Sequence, residues 1–337
     1  MNLFEHVLIE RRDELDTRGM RLIPPYSTLL MTPRFPLSRH VIAFVHDAVG
    51  LQLVMKVPRR PGDVSGIQNE AACLEALDGV NRDHRPGPRL VGLVEVGRST
   101  VLVETPCQGT LLPRRLSARR AADVLRAAIY LTDGMPQTGA RPAAWFEDEV
   151  EKPLLKIQAL AGADPAIAHL VERTRKVLHP LRDADLPSVL EHGDMNPPNL
   201  FIHGRRMQAV DWERGSVVGL PGQDLVTLLM YIARSRSRTA RVDLTYDTAL
   251  VRPGAWGRVL LEAHLRTRGV ATELAPLLAA TAWLRGVTSR LAAATGGPPV
   301  DSPLDPRAGR ALWQTLKADR DYPLWPIAVN RLSPSRG

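Results

Sequence analysis

The sequence predicts an α+β protein of two lobes, with a small amino-terminal lobe built on an antiparallel sheet and a larger, mainly helical carboxy-terminal lobe. Three observations lead to this fold class. Short apolar runs typical of strands, together with one helical segment, occupy about residues 21–104. Helical periodicity prevails from residue 118 onward, and a length of 337 residues suits one bilobal unit. We place the lobes at residues 1–104 and 111–337, with a hinge at 105–110.

The amino-terminal lobe is expected to open with an amphipathic helix in residues 1–20. The first two strands are predicted at 27–35 and 40–47, and a third follows at 51–57. Helical spacing then begins at Glu70 and continues to residue 77. The lobe therefore combines several strands with one packed helix.

Three helices are predicted in the first half of the carboxy-terminal lobe, at residues 118–131, 145–160 and 165–178. A Gly- and Pro-rich stretch ends the first of them. The segment 219–224 should introduce another helix that continues through Tyr231, and the sequence GGPP at 296–299 marks a loop before the final helices.

The most informative segment has the sequence HGDMNPPN, residues 192–199, and is followed by DWE at residues 211–213. Phosphoryl transfer from a nucleotide needs one carboxylate to orient the attacking hydroxyl and neighbouring oxygen ligands for magnesium. Two short strands at 200–203 and 207–210 would form a hairpin that folds Asp211 back opposite Asn199. The alternative is a polar loop between two core strands, with Asp194 and Asn199 as turn formers.

This pattern resembles that of the aminoglycoside phosphotransferase and choline kinase superfamily, small-molecule kinases that share the protein-kinase fold, whose own catalytic loop reads H-R-D-x-x-x-x-N. The resemblance implies a protein-kinase-like bilobal fold. It implies Asp194 as the catalytic base and Asn199 and Asp211 as magnesium ligands. Glu213 would either bind the metal or support its ligands from behind. The resemblance also makes Asp224 a candidate support beneath the catalytic loop, for which an ordinary carboxylate at a helix start is the alternative.

The third strand carries a lysine whose position is unusual for this composition. Only five of the 44 basic residues are Lys, and Lys56 is the only one in the first 151 residues. A compact ammonium and a planar guanidinium are not interchangeable at a phosphate pair. A kinase needs a strand lysine for the α- and β-phosphates and a helical glutamate to pair with it. We predict Lys56 and Glu70 in these roles; a solvated lysine at a strand end is the alternative.

The connection between the first two strands, residues 32–39, contains no glycine. Protein kinases use G-x-G-x-x-G there, and Pro33 and Pro36 donate no N–H to a phosphate. Many small-molecule kinases of the superfamily also lack those glycines. We therefore expect phosphate contacts from the amides of Ser38 and Arg39, the Ser38 hydroxyl and the Arg39 guanidinium. The alternative is a solvated turn.

Residues 101–109, VLVETPCQG, form an apolar strand that runs into a connector and resembles the hinge between kinase lobes. A purine is held there by one backbone carbonyl and one backbone N–H, two residues apart. Because Pro106 cannot donate, the compatible pair is the Thr105 carbonyl with the Cys107 N–H. A simple junction of strand and turn fits the same residues.

The composition, 44% hydrophobic and 24% charged, is that of an ordinary globular protein. No apolar run reaches the roughly 18 residues of a membrane span, and no signal peptide is visible. Two cysteines without metal-type spacing fit a reducing cytoplasm. A nucleic-acid partner has only the high pI in its favour, without a motif.

The positive charge of the chain is concentrated after residue 224. Residues 225–337 contain fifteen Arg and one Lys against eight acids, which accounts for the whole net charge of +8. In this fold the carboxy-terminal helices usually wall the acceptor pocket, and a wall that binds polycationic aminoglycosides should focus negative potential. A basic wall favours a neutral or anionic acceptor, such as a nucleoside, a sugar or a phosphorylated or carboxylated natural product. The alternative is that these arginines are solvated.

Two features favour a cationic acceptor instead. Four acids occupy the five positions 147–151, and a group of tryptophans could form an aromatic cage for a quaternary ammonium: Trp256, Trp283, Trp313 and Trp325. Acids at a helix start are commonplace, however, and tryptophans in helices more often belong to the core.

The sequence thus predicts a magnesium-dependent phosphotransferase that uses ATP or GTP and a small-molecule hydroxyl acceptor such as an antibiotic, a nucleoside or a sugar. The alternatives are a kinase for an aminoglycoside or for choline or ethanolamine, a protein or lipid-headgroup kinase, and a nucleotide-binding pseudokinase. Retention of all five polar site residues argues against a pseudokinase, because an inactive site does not need them: Lys56, Glu70, Asp194, Asn199 and Asp211. The oligomeric state is left open.

Overall fold

The computed structural model describes residues 2–31, 39–60, 62–80, 85–162, 164–295 and 306–333. The predicted α+β class is confirmed. An antiparallel sheet dominates the amino-terminal third of the chain, and helices dominate the remainder. Among the helices of the described ranges, none is both long enough and apolar enough to cross a membrane.

The main sheet contains five antiparallel strands, namely β1 (Ser27–Met31), β2 (His40–His46), β3 (Leu51–Pro58), β4 (Leu90–Val96) and β5 (Ser99–Glu104). Their order across the sheet is β1-β2-β3-β5-β4. Helix α1 (Leu3–Glu10) precedes the sheet, and α2 (Ser65–Ala76) connects β3 to β4.

The alternation of side chains along β3 decides which face of the sheet carries the site. Leu53, Met55 and Val57 enter the apolar core that also contains α1 residues. Because successive strand residues point to opposite faces, Lys56 lies on the other face. There its strand partner Leu102 packs with residues of α2.

Two predicted helices of this region have different bounds in the structure. The helix expected in residues 1–20 ends at Glu10, because the four charged residues 11–14 offer no apolar face. The helix expected to start at Glu70 begins at Ser65, so Glu70 lies in its middle. Its first turn contributes one large apolar side chain, Ile67, which is fully buried, and this is too weak a signal for periodicity.

The remainder of the chain is mainly helical. The helices predicted at 118–131 and 165–178 are confirmed, and the one predicted from 145 begins with a wide π-helical turn at Glu147–Glu151. The helix expected to reach Tyr231 continues to Arg236. In chain order the helices are α3 (Ala118–Asp133), α4 (Lys152–Ala161), α5 (Pro165–Leu178), α6 (Gln223–Arg236), α7 (Val242–Tyr246), α8 (Trp256–Thr267), α9 (Ala275–Thr295), α10 (Pro306–Lys317) and α11 (Leu324–Leu332).

Two small three-stranded sheets frame the HGDMNPPN segment. One contains β6 (Thr110–Leu111), β9 (Leu200–His203) and β10 (Arg206–Ala209), and the other contains β7 (Gln137–Gly139), β8 (Ser188–Glu191) and β11 (Ser216–Gly219). The segment therefore connects β8 of one sheet to β9 of the other. The predicted hairpin is confirmed, with its second strand one residue earlier than expected.

Candidate active site

Lys56 lies in a buried group of charges beneath the main sheet. Its ammonium nitrogen is 2.6 Å from Glu70 Oε1 and 3.3 Å from Glu104 Oε1. All three side chains are at least 96% buried. Burial acts to lower the pKa of Lys56, but Glu104 and Glu70 outweigh it and raise the pKa above its usual value. The lysine is therefore held as a cation.

Glu70 also connects the amino-terminal sheet to the DWE segment. The same Oε1 atom accepts a hydrogen bond from the backbone N–H of Trp212 at 2.9 Å. The preceding residue of α2, Asn69, donates through its amide to the carbonyls of Glu213 and Gly215. The position of α2 and the conformation of the DWE segment are therefore coupled directly.

The β9–β10 hairpin brings Asn199 and Asp211 together. Leu200 faces Ala209 in the register, and the N–H of Val210 donates to the carbonyl of Asn199 at 2.9 Å. The Asn199 side-chain amide donates to the carbonyl of Asp194 at 3.1 Å, which leaves its oxygen for another partner. Asp211 has a left-handed backbone with φ of 69°, the only positive φ at a non-glycine residue in the described ranges.

His192 is a fully buried side chain that shapes the catalytic loop. Its Nε2 lies 3.0 Å from the Val210 carbonyl, and its Nδ1 lies 3.2 Å from the N–H of Asp194. Nε2 therefore donates while Nδ1 accepts, which is the pattern of a neutral ring. Burial lowers the pKa of His192, in agreement with that protonation state. The ring thus connects the loop to the strand that ends before Asp211.

Asp224 supports the loop from below. Its two carboxylate oxygens accept hydrogen bonds from the N–H groups of His192 and Gly193, at 2.7 and 3.1 Å. The side chain is buried, and burial together with the neighbouring Glu191 raises its pKa to about 7. The geometry thus favours the supporting role over an ordinary helix-start carboxylate.

Glycine at position 193 is a steric requirement of this loop. Its φ is +74°, and a Cβ atom there would lie 2.5 Å from the carbonyl oxygen of Arg214. The loop therefore packs backbone against backbone where protein kinases have the arginine of H-R-D. A side chain at this position would push the loop away from the residues after Trp212.

Asp194 is half-buried and faces the cleft. Its Oδ1 accepts a hydrogen bond from the side chain of Asn196, and its Oδ2 is 3.7 Å from an Arg214 guanidinium nitrogen. Asn196 and Arg214 thus contact different oxygens of the Asp194 carboxylate.

The residues present fit a magnesium ion. His40, Asp211 and Glu213 each offer a ligand atom within 4.8 Å of the others. Burial, and after it Asp211, raises the pKa of Glu213 to about 7. Within the part of the chain that the structure describes, Glu213 Oε2 has no hydrogen-bond partner. The Asp211 and Glu213 carboxylates, and the amide oxygen that Asn199 carries, are oxygen donors of the kind that magnesium prefers.

Residues 37–261 match the phosphotransferase enzyme family, APH. The chain belongs to this family. The matched residues include the main sheet from β2 onward, the catalytic loop, the β9–β10 hairpin and α6. No curated protein matches the chain at a significant level.

Solved structures similar to this member of the phosphotransferase family share its protein-kinase-like fold. A thermostable mutant of aminoglycoside phosphotransferase APH(4)-Ia, in a ternary complex with AMP-PNP and hygromycin B, is 12% identical with a TM-score of 0.55, and 99% of this chain and 100% of that chain are covered. The choline/ethanolamine kinase family protein from Mesorhizobium loti is 15% identical with a TM-score of 0.50, over 97% and 99% of the two chains. At these identities the likeness concerns the fold alone.

Two residues just before β2 were predicted to contact phosphate. Ser38 lies outside the described residues. The Arg39 guanidinium pairs with the Asp63 carboxylate and donates to the Ser65 hydroxyl at 2.9 Å. A carboxylate on the chain after β3 thus engages the charge that the sequence assigned to phosphate, and the phosphate contact stays a prediction.

The predicted hinge pair lies between β5 and β6. Thr105 is fixed by the strand side, since its N–H donates to the Arg89 carbonyl and its hydroxyl accepts from the Arg89 N–H. Within the described residues, neither the Thr105 carbonyl nor the Cys107 N–H takes part in a backbone hydrogen bond. The pair remains a prediction for purine recognition.

Two site residues escaped the sequence analysis. Glu104 sits beside Lys56 because β5 is the neighbour of β3 and Glu104 pairs with Val54. Its position as a single acid at the end of an apolar strand was the sequence feature that could have indicated it. His40, at the start of β2, lies with its Nδ1 3.3 Å from Glu213 Oε2, and burial lowers its pKa. Nothing in its local sequence distinguishes it from a solvated strand residue.

The features that favoured a cationic acceptor are explained by other contacts. In the acidic run 147–151, Asp148 pairs with Lys152, Glu149 pairs with Arg285, and Glu151 pairs with Arg175. The tryptophans form no common cage: Trp313 and Trp325 belong to the helical core, while Trp283 and Trp256 line two different cavities.

Proposed function

We propose that this chain is an O-phosphotransferase that transfers the γ-phosphoryl group of ATP or GTP to a hydroxyl group of a small molecule. The observation that supports the proposal is a set of three contacts that link the predicted site residues. Lys56 contacts Glu70, Glu70 contacts the DWE backbone, and the hairpin joins Asn199 to the residue before Asp211. A solvated lysine or an unrelated polar loop would not need this chain of contacts.

Lys56 is proposed to bind the α- and β-phosphates of the nucleotide. Its two carboxylate partners keep the ammonium charged and directed toward the cleft in a buried position. A preorganised cation in a site of low dielectric stabilises anionic charge more strongly than the same group in water. The Thr105 carbonyl and the Cys107 N–H are proposed to hold the purine.

Asp194 is proposed to orient the acceptor hydroxyl and to take its proton. As the hydroxyl oxygen forms its bond to the γ-phosphorus, the bond from that phosphorus to the bridging oxygen breaks, and the nucleoside diphosphate leaves. The proton passes to the Asp194 carboxylate. The Asn196 side chain donates to the Asp194 carboxylate and the Asn199 side chain donates to the Asp194 carbonyl, and positioning of this kind supplies much of the catalysis in phosphoryl transfer.

Asn199, Asp211 and Glu213 are proposed as the residues that hold magnesium. When bound, the ion neutralises charge on the phosphates during transfer. Asp224 and His192 position these groups indirectly, because they fix the loop that carries Asp194.

A neutral or anionic acceptor is proposed over a cationic one. Three of the four acids at 147–151 are paired within the protein, and the tryptophans are distributed between the core and two cavities, so neither feature supports an amine-binding site. We propose a reducing cytoplasm as the location of the enzyme, because Cys73 and Cys107 are both free thiols.

The test is consumption of nucleoside triphosphate, with and without magnesium, across a panel of hydroxylated compounds. The panel contains nucleosides, sugars, sugar phosphates, macrolides, aminoglycosides, choline and ethanolamine. We expect acceptor-dependent turnover that disappears when magnesium is chelated. Tight nucleotide binding without turnover for any acceptor would instead favour the pseudokinase.

A further inference from the structure

A cavity of about 540 Å³ opens beside the catalytic loop. Asn196, whose side chain donates to Asp194, forms part of its wall. The other walls come from the segment before α3, from the face of α6 that includes Tyr231, and from the turn between α10 and α11. Its volume falls in the range of roughly 300–1,000 Å³ that is typical of small-molecule sites.

Charge is distributed unevenly in this cavity. Asp321 is the one acid among the described lining residues, against five arginines: Arg114, Arg115, Arg234, Arg238 and Arg320. Convergent charges of one sign in a concave site focus the potential and raise the local concentration of a ligand of opposite sign.

The single acid does not neutralise this group. Asp321 pairs with Arg234 from α6, and with Arg290 from α9 at 2.6 Å. Its charge is therefore engaged by two arginines, one of which lies outside the cavity wall. Arg320 is exposed and reaches Asp321 only at 3.4 Å.

Three of the arginines make no ion pair or side-chain hydrogen bond with any residue that the structure describes: Arg114, Arg115 and Arg238. Two of them sit on a segment that is held in place, since the hydroxyl of Tyr231 donates to the carbonyl of Pro113, the residue before them. Tyr231 also lines the cavity. Arg114 and Arg115 are thus exposed residues on a backbone segment that is anchored to α6, and none of the three guanidinium groups pairs with an acid of the described residues.

We infer that the acceptor carries an anionic group, a phosphate monoester or a carboxylate, which Arg114, Arg115 and Arg238 bind while Asp194 receives the hydroxyl. This inference rests on the proposed function and deepens it from a neutral or anionic acceptor to an anionic one. Guanidinium groups bind both phosphate and carboxylate through paired N–H donors. The concave shape of the site selects a small molecule over a polymer.

The binding test uses the full chain saturated with magnesium and AMP-PNP, so that the nucleotide site is filled. Inorganic phosphate is titrated and its binding followed by ³¹P relaxation, and acetate and choline serve as carboxylate and cationic probes. Ionic strength is kept constant, because exposed charges are screened by salt. We expect saturable binding of phosphate or acetate, with no binding of choline.

The variant Arg114→Gln/Arg115→Gln/Arg238→Gln should weaken anion binding roughly tenfold or more, because charge-assisted hydrogen bonds are lost. The matched control, Arg98→Gln/Arg252→Gln/Arg266→Gln, makes the same change in net charge at exposed positions outside the cavity and should bind anions as the wild type does. Absence of saturable anion binding, or equal weakening in both variants, would overturn the inference.

Turnover of matched acceptors separates this inference from the proposed function. Glycerol is compared with glycerol 3-phosphate, and glucose with glucose 6-phosphate. Turnover of a neutral or cationic compound without anion binding would sink the anionic acceptor and leave the kinase. Anion binding that is lost only in the cavity variant, without turnover of any acceptor, would keep the anion site and count against the kinase.

Discussion

Replacement of Asp224 by Asn tests how the catalytic loop is held. Both carboxylate oxygens accept a backbone N–H, from His192 at 2.7 Å and from Gly193 at 3.1 Å. An asparagine preserves the shape but has one acceptor oxygen, and its NH₂ group must face the second N–H. The variant therefore loses one charge-assisted hydrogen bond and brings two buried donors together.

The magnitude follows from these two losses. A hydrogen bond to a charged group contributes about 1.5–3 kcal/mol, and an unpaired buried donor costs about 1–3 kcal/mol. The removal of a buried charge acts in the opposite direction, since burial raises the pKa of Asp224 to about 7. We expect a net decrease of about 2–4 kcal/mol in the free energy of unfolding. Because the loop carries Asp194, a displacement of about 1 Å should lower kcat about 100-fold.

The assay combines urea unfolding with steady-state kinetics and nucleotide binding. The matched control is Asp243→Asn, which changes a surface carboxylate paired with exposed Arg241 at 2.5 Å; it should cost less than about 1 kcal/mol and leave kcat unchanged. Nucleotide affinity should persist in both variants, since Lys56 lies beneath the main sheet. If Asp224→Asn unfolded at the same urea concentration as the control and kept its kcat, the supporting role would be refuted.

Two further predictions concern single positions of the site. Gly193→Ala places a Cβ 2.5 Å from a backbone oxygen and should lower kcat about 100-fold. The control Gly204→Ala has a similar φ of +61° but no atom within 4 Å of the new Cβ, and it should keep its kcat. Equal kcat values for the two variants would contradict the steric argument. Glu70→Gln loses the charged partner of Lys56 and should weaken nucleotide affinity roughly tenfold in a binding titration, and unchanged affinity would contradict the pairing.

The parts of the fold that follow from local pattern were predictable. The apolar strand pattern of β3, the helical spacing of α3 and α5 and the tight turn at Gly204 each depend on a few consecutive residues. The contact of Lys56 with Glu70 was also accessible, because one strand lysine stands out in a chain rich in arginine. The bounds of α1 and α2 were not, since their ends are set by capping and by tertiary burial.

The remaining features depend on contacts between distant parts of the chain. Glu104 reaches Lys56 only because β5 lies beside β3 in the sheet. The residues of these two strands do not by themselves indicate that they are neighbours. The arginine cavity joins segments near residues 114, 234 and 320. The charge excess after residue 224 indicated a basic region. Only the fold separates Arg238, which pairs with no acid among the described residues, from Arg234, which pairs with Asp321.

The most direct test of the account is the variant Asp194→Asn, measured with magnesium, nucleotide and the best acceptor of the panel. Asparagine keeps the size of the side chain but cannot accept the hydroxyl proton. We expect acceptor-dependent turnover to fall by roughly 10²–10⁴-fold while nucleotide binding stays near that of the wild type. Near-normal turnover in Asp194→Asn would contradict the assignment of this carboxylate as the base, and with it the proposed mechanism.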